Sequence, residues 1–180
     1  LRLWHHLKVE LIKQELSSIF DLETRLLPCL MEMTQKGVRV DLEKADSIKK
    51  NLIDREKEHL RKMKKETGID VEIWTAVSVA KAFDKLGIKY DYTEKTGQPK
   101  FDKNFLSTSK HRFARMVALT REINKARTTF IDTILRHSFN SRIHANINQM
   151  RSDDGGGTVT GRFSYSNPNL QQVPSRNKEL

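Results

Sequence analysis

Between Thr158 and Pro174 the chain reads Thr-Val-Thr-Gly-Arg-Phe-Ser-Tyr-Ser-Asn-Pro-Asn-Leu-Gln-Gln-Val-Pro, a run of hydroxyls and side-chain amides around one arginine, with no carboxylate. Such a set donates and accepts hydrogen bonds and carries one permanent positive charge, which suits a ligand that is polar, flat and negatively charged. Arg162 supplies a planar fork of donors. Thr160 and Gly161 precede it, and the missing Cβ of Gly161 permits close backbone approach. Asn169, Gln171 and Gln172 add neutral donors and acceptors, while Pro168 and Pro174 fix the path of the loop. Every base pair presents minor-groove acceptors at purine N3 or pyrimidine O2, whatever the sequence. A donor fork placed there tests the shape of a pair without reading which pair it is.

Further candidates lie upstream. Arg121 and Lys125 are one helical turn apart and are expected to project together, with Arg127 pointing elsewhere. The stretch from Asp41 to Glu66 is rich in lysine and arginine, which fits either a solvated helix face or contact with phosphates. Other signals point to ordinary structure. Gly155-Gly156-Gly157-Thr158 lacks the Gly-Lys-Ser/Thr ending of a P-loop and reads as a turn. Asp153-Asp154 reads as a charged turn, His5-His6 lacks metal-ligand spacing, and Cys29 is expected to be a buried structural thiol. No Ser-His-Asp arrangement is supported.

These residues need elements to position them. Apolar positions at helical spacing (Leu3, Leu7, Leu11, then Leu22, Leu26, Leu30) predict helices over 1–33, interrupted near Ser17-Ser18. Gly37 ends this region, Val38-Arg39-Val40 reads as extended, and Asp41 is an N-cap for a long helix reaching Glu66. That helix has a thin apolar stripe of Ala45, Ile48, Leu52, Leu60 and Met63. After Thr67-Gly68, a short helix over 75–86 turns Val79, Ala82, Phe83 and Leu86 inward and closes at Gly87. A polar loop follows from Tyr90 to Pro99. From Asn104 to Arg136 the line Met116, Leu119, Ile123, Ala126, Phe130, Ile134 keeps helical spacing. The pattern then changes to period two. Ile143, Ala145 and Ile147 alternate with polar residues as a strand, and Val159 with Phe163 are expected on a second, antiparallel strand beyond a turn over 153–157. The fold class is mainly α with a small antiparallel β-sheet at the C-terminal end, an α+β arrangement.

Composition narrows the partners. In 180 residues the formal net charge is +10, which favours a polyanion, either nucleic acid or an acidic membrane surface. No stretch is apolar for the roughly 18 residues of a membrane span, and no signal-peptide core is present. Cys29 is the only cysteine, so no intrachain disulfide forms and a reducing interior, the cytoplasm, fits best. The chain starts at Leu1 within an amphipathic run and stops at Glu179-Leu180 directly after the motif, so it is expected to be a piece of a longer polypeptide.

The 158–174 run resembles the T-x-T-G-R-[LF]-S-x-x-x-P-N-L-Q-x-[IV]-P signature of family A (polymerase I-like) DNA polymerases. Three further anchors occur in the family's order. Leu27-Pro28 through Gly37-Val38-Arg39-Val40-Asp41 is similar to the family's entry into the thumb. Arg121-Glu122-Ile123-Asn124-Lys125-Ala126-Arg127-Thr128-Thr129-Phe130 resembles the R-x-x-x-K-x-[KR]-[ST]-T-[YF] run near the thumb's end. Arg142-Ile143-His144 matches the strand leading to T-G-R. The resemblance implies the end of a 3'-5' exonuclease-like domain over 1–20, a helical thumb over 21–137 and the start of the palm over 138–180. It implies that Arg162 contacts the primer-terminal base pair, with Thr160, Gly161, Asn169, Gln171 and Gln172 near the nascent duplex. Arg121, Lys125, Arg127 and Thr128 would contact DNA from the thumb, and Arg176 would lie near the incoming nucleotide.

The implied function is a segment of a DNA-directed DNA polymerase that grips primer–template duplex during template-directed synthesis. Its partners would be primer–template DNA and deoxynucleoside triphosphates, with no membrane, acting as a monomer in the cytoplasm of a bacterial or phage-infected cell. Mg2+ would serve the parent enzyme through carboxylates outside these residues, with no metal and no catalytic residue within the segment. The segment alone is then expected to bind primed duplex weakly and polymerise nothing. Tyr165 and Phe163 stand where many bacterial members have Ser and Leu, the turn over 153–157 is long and glycine-rich, and the 90–104 loop is too short for a large inserted domain. These departures lean towards a phage-type member. Two other classes fit the charge and helices: a non-catalytic DNA-binding accessory module, and a basic helical protein-interaction domain.

Overall fold

The computed structural model describes residues 2–151 and 157–174. The chain forms two compact units, one joining Leu1–Asp41 to Arg136–Val173, the other built on Leu42–Leu135.

The second unit contains α3 (Leu42–Thr67), α4 (Ala76–Lys85), a hairpin of β2 (Asp91–Tyr92) and β3 (Pro99–Lys100), α5 (Lys103–Thr108) and α6 (Arg112–Lys125). A π-helical turn, Ala126–Ile131, continues α6. The apolar stripe of α3 faces inward, with Ala45, Leu52 and Met63 buried. Phe83 is fully buried at the centre of the larger core, where its ring lies 4.8 Å from Phe101 and 5.7 Å from Phe113. A smaller core of Leu52, Ile123, Ala126 and Ile131 lies beneath the π turn. His59 on α3 donates from Nδ1 to Thr120 Oγ1 at 3.1 Å, and that hydroxyl donates to Met116 O at 2.7 Å. Burial, then Lys62 and Arg55, lowers the pKa of His59.

Two expectations change here. The 90–99 stretch is a hairpin rather than a loop, because Thr93 closes its tip by pairing with Gln98 and Thr96. The line from Met116 to Ile134 does not stay on one α-helical face. Leu119 falls at the edge of the buried stripe and is 43% exposed. Past Ala126 the buried residue is Ile131 rather than Phe130, because a π turn closes hydrogen bonds one residue later than an α turn.

The first unit holds α1 (Arg2–Lys13) and α2 (Ser17–Lys36), with the expected break between them. Antiparallel β1 (Val38–Arg39), β5 (Arg142–Ile143) and β4 (Ser138–Phe139) form one sheet, with β5 in the centre. β6 (Asn146–Asn148) and β7 (Ser164–Ser166) form a separate antiparallel ribbon. The expected 143–147 strand is therefore split at His144-Ala145. The second strand lies at 164–166, while Val159 is 78% exposed ahead of it.

The split has a cause. Arg142 Nη1 donates to Lys36 O at 3.0 Å and Gly37 O at 3.1 Å, and His144 Nδ1 donates to Thr34 O at 2.9 Å. Both side chains cap the unpaired carbonyls at the C-terminal end of α2, where positive charge is also favoured. Gly37, at φ 64° and ψ 173°, occupies backbone space open essentially only to glycine. A Cβ there would meet the His144 ring and Ile143 O, both at 2.8 Å. Gly37→Ala is expected to destabilise the fold by about 2 kcal/mol, read as a lowered urea midpoint.

Candidate nucleic-acid interface

The 158–174 run folds as a turn, a strand and a short 3₁₀ turn. Thr158 Oγ1 donates to Arg162 O, closing a loop in which Gly161 adopts φ +70°. No atom lies within 4 Å of a Cβ built on Gly161, so the glycine serves the torsion and leaves open space around the backbone. Arg162 is exposed, and its guanidinium has no partner among the described residues. Thr160 is likewise exposed. Phe163 leads into β7, Pro168 is buried, and the Asn167–Pro168 bond is cis.

The amides divide by role. Asn169 Oδ1 accepts from Gln171 N at 3.1 Å, capping the 3₁₀ turn Leu170–Gln172. Gln171 Nε2 donates to Phe163 O at 2.9 Å, tying the turn back to the arginine-bearing loop. The Gln172 side chain is exposed without a partner among the described residues. Arg162 and Gln172 thus retain their full donor sets, whereas Gln171 helps hold the segment in shape.

The upstream set belongs to the other compact unit. Lys125 is exposed and has no partner among the described residues. Thr128, also exposed, donates to Asn124 O at 2.9 Å. Arg121 does not project beside Lys125. Its Nε donates to Ile73 O and its Nη1 to Phe101 O, each at 2.7 Å, and its Cζ lies 5.3 Å from the Trp74 ring centroid. Burial lowers its pKa. Ile73 and Phe101 are themselves buried, so their carbonyls need donors, and Arg121 supplies them.

Arg127 is similarly engaged. Its Nε and Nη2 donate to Glu56 Oε2 at 3.2 and 3.1 Å, and its Nη1 to Asp132 Oδ2 at 3.5 Å. Asn124 joins the same carboxylate through Nδ2 at 2.7 Å and accepts from Trp74 Nε1 at 2.9 Å. Lys49 pairs with Asp132 at 2.7 Å. Arg121 and Arg127 are therefore linked through Trp74, Asn124 and Glu56 into one polar network. No local sequence pattern announces this network, because Asn124 lies 50 residues from Trp74 and 68 from Glu56, and Arg127 lies 71 from Glu56.

Arg176, Asp153 and Asp154 lie outside the described residues. Cys29 is exposed rather than buried, since Leu30 is the one residue that α2 buries. Among the described residues no group of three or more His, Cys, Asp or Glu could hold a metal ion. No described helix is long and apolar enough to cross a membrane.

The model for DNA polymerase family A matches residues 42–180. A DNA-directed DNA polymerase of Pseudomonas phage M6 is 34% identical over 178 residues, covering 94% of this chain and 27% of that protein. DNA polymerase DpoZ of Salmonella phage PMBT28 is 32% identical over 199 residues, covering 100% of this chain and 31% of the relative. Among solved structures, the POL domain of Pol1 from M. smegmatis, in complex with DNA primer-template and dNTP, superposes with a TM-score of 0.70. It is 22% identical, and the match covers 87% of this chain and 27% of that one. That likeness concerns the fold. The chain thus spans less than a third of each of these proteins.

Proposed function

This chain belongs to DNA polymerase family A, with phage polymerases among its relatives, and on that premise we propose that it is the part of such an enzyme that grips primer–template duplex. The observation that carries the reading is the exposed Arg162, whose guanidinium has no partner among the described residues, held on a glycine turn beside β7. Its fork lies along the minor groove at the primer terminus and donates to acceptors that every correct pair presents. Thr160, Gly161, Asn169 and Gln172 border the same duplex, and Gln171 keeps the loop in place. Lys125 reaches the DNA backbone by charge, whereas the one O–H of Thr128 is already given to Asn124 O. Arg121 and Arg127 serve this grip as scaffolding, since their donors already have partners within the chain.

In domain terms, 1–20 closes an exonuclease-like domain, 21–137 is the thumb and 138–180 opens the palm. The Leu42–Leu135 part of the second compact unit falls within that thumb range. Deoxynucleoside triphosphate, approached by Arg176, is the second partner. The divalent ion general to such chemistry, Mg2+ in this reading, has no ligand set among the described residues. The protein works as a monomer in the cytoplasm of a bacterial or phage-infected cell.

The test is binding of these 180 residues to a hairpin primer–template across a salt series, read by fluorescence anisotropy. Each phosphate neutralised contributes about 0.9 to the slope of log affinity against log salt. A slope of about −3 or steeper, with no nucleotide incorporated, is expected from several lysine and arginine contacts. Affinity that ignores salt would overturn the reading.

A further inference from the structure

The β6–β7 ribbon carries a second polar set within the signature segment. Its antiparallel register pairs Asn146 with Ser166, Ile147 with Tyr165 and Asn148 with Ser164. Side chains alternate across a strand, so Asn148, Ser164 and Ser166 share one face while Ile147 and Tyr165 take the other. On the shared face Asn148 Nδ2 donates to Ser164 Oγ at 3.3 Å and to Ser166 Oγ at 3.2 Å. An amide nitrogen has two hydrogens, one for each hydroxyl. A hydroxyl that accepts in this way keeps its own O–H to give. Neither serine finds an acceptor for it among the described residues.

The direction of this one amide sets the sign of the face. Turned the other way, its oxygen would accept from both hydroxyls and neither serine would have an O–H left to offer. The neighbouring residue steadies the arrangement. Gln149 Nε2 donates to Glu23 O at 3.1 Å and to Glu23 Oε2 at 2.7 Å, pinning the end of β6 to α2.

We propose that Asn148 is a positioning residue that sets Ser164 and Ser166 as outward donors to phosphodiester oxygens of the DNA. This rests on the reading of the Arg162 segment as a duplex grip. Donors to a charged phosphate form short, strong hydrogen bonds, and the absence of carboxylates from 158–174 leaves the face without a competing acceptor of that charge. Being neutral, the hydroxyls fix the strand's position while displacing no counterion.

The experiment uses the complete polymerase polypeptide and a hairpin primer–template. Ser164→Ala with Ser166→Ala is expected to raise Kd about tenfold, as two hydrogen bonds to a charged group are lost. The slope of log Kd against log salt stays unchanged, which separates this loss from that of a lysine contact. Asn148→Leu keeps the size and adds no charge but withdraws both N–H donors, so the hydroxyls lose the group that sets them outward and binding weakens several-fold. Added to the double-serine variant, Asn148→Leu should change Kd by less than about twofold, because the shared route is already gone. The proposal is overturned if the serine pair leaves Kd unchanged, or if Asn148→Leu costs as much without the serines as with them. The serine arm stands by itself should Asn148→Leu fail to fold. Arg162→Ala runs alongside. If it slows primer extension while the serine pair leaves Kd unchanged, only the Asn148 proposal fails; if extension and Kd both stay at their wild-type values, the grip itself is wrong.

Discussion

Arg162→Ala in the polymerase that carries this segment lowers kcat/KM for primer extension by about 100-fold on every template sequence, an effect of the size expected for a charged donor fork lost from a groove that excludes water. The loss is spread evenly over templates because purine N3 and pyrimidine O2 accept identically in all four pairs. It is expected to fall mainly on kcat, since in the proposed grip the guanidinium meets the terminal pair, where alignment matters for the reaction. Duplex Kd, held by many phosphates, moves far less. Arg162→Lys retains the charge but not the planar fork, so it recovers only part of the rate. Arg162 is exposed and its guanidinium has no partner among the described residues, so the alanine variant is expected to keep the melting temperature of the wild type. Unchanged extension across templates would remove the basis of the proposed grip.

Glu56→Ala is expected to destabilise the protein by about 3 kcal/mol, through a different route. The Glu56 side chain is 14% exposed and that of Arg127 22%, so the pair is largely withdrawn from water. Removing the carboxylate leaves the Arg127 guanidinium without its main counter-charge and frees the Asn124 amide from its acceptor. Asp132 remains near Arg127 at 3.5 Å and already serves Lys49, so it compensates weakly. Urea unfolding followed by circular dichroism reads the change as a lowered midpoint at constant slope. Replacing both partners, as Glu56→Leu with Arg127→Met, should recover most of the loss, because it leaves no uncompensated charge. A Glu56→Ala midpoint equal to that of the wild type would show that the network contributes nothing to the fold.

The helices are legible in the sequence wherever one face is apolar and the ends carry a glycine or an acidic cap. α3 begins directly after Asp41 and ends at Thr67, and α4 closes at Leu86-Gly87, because these boundaries depend on local chemistry. The family is legible too, since the motif 158–174 is a long ordered string. The π turn at Ala126–Ile131 is not, because spacings of three and four residues suit an α-helix equally well. Nor is the β2–β3 hairpin, whose two-residue strands leave too little alternation to detect. At the candidate site, the exposure of Arg162 and Lys125 follows from their polar surroundings. The inward turn of Arg121 does not. It is dictated by carbonyls of Ile73 and Phe101, whose approach is settled by tertiary packing alone. Arg142 and His144 illustrate the same limit, for their period-two pattern says strand while their side chains cap a helix a hundred residues away.

The π turn has an evolutionary corollary. It accommodates one amino acid more than a regular helix of the same rise, and it does so between the exposed Lys125 and Asp132, which pairs with Arg127 and Lys49. Deleting one residue there would present Lys125 about a hundred degrees out of phase with the residues that follow. Relatives that keep the ungapped run from Arg121 to Phe130 should therefore keep the wide turn too, since losing a residue within it would break the phase that its two flanks share.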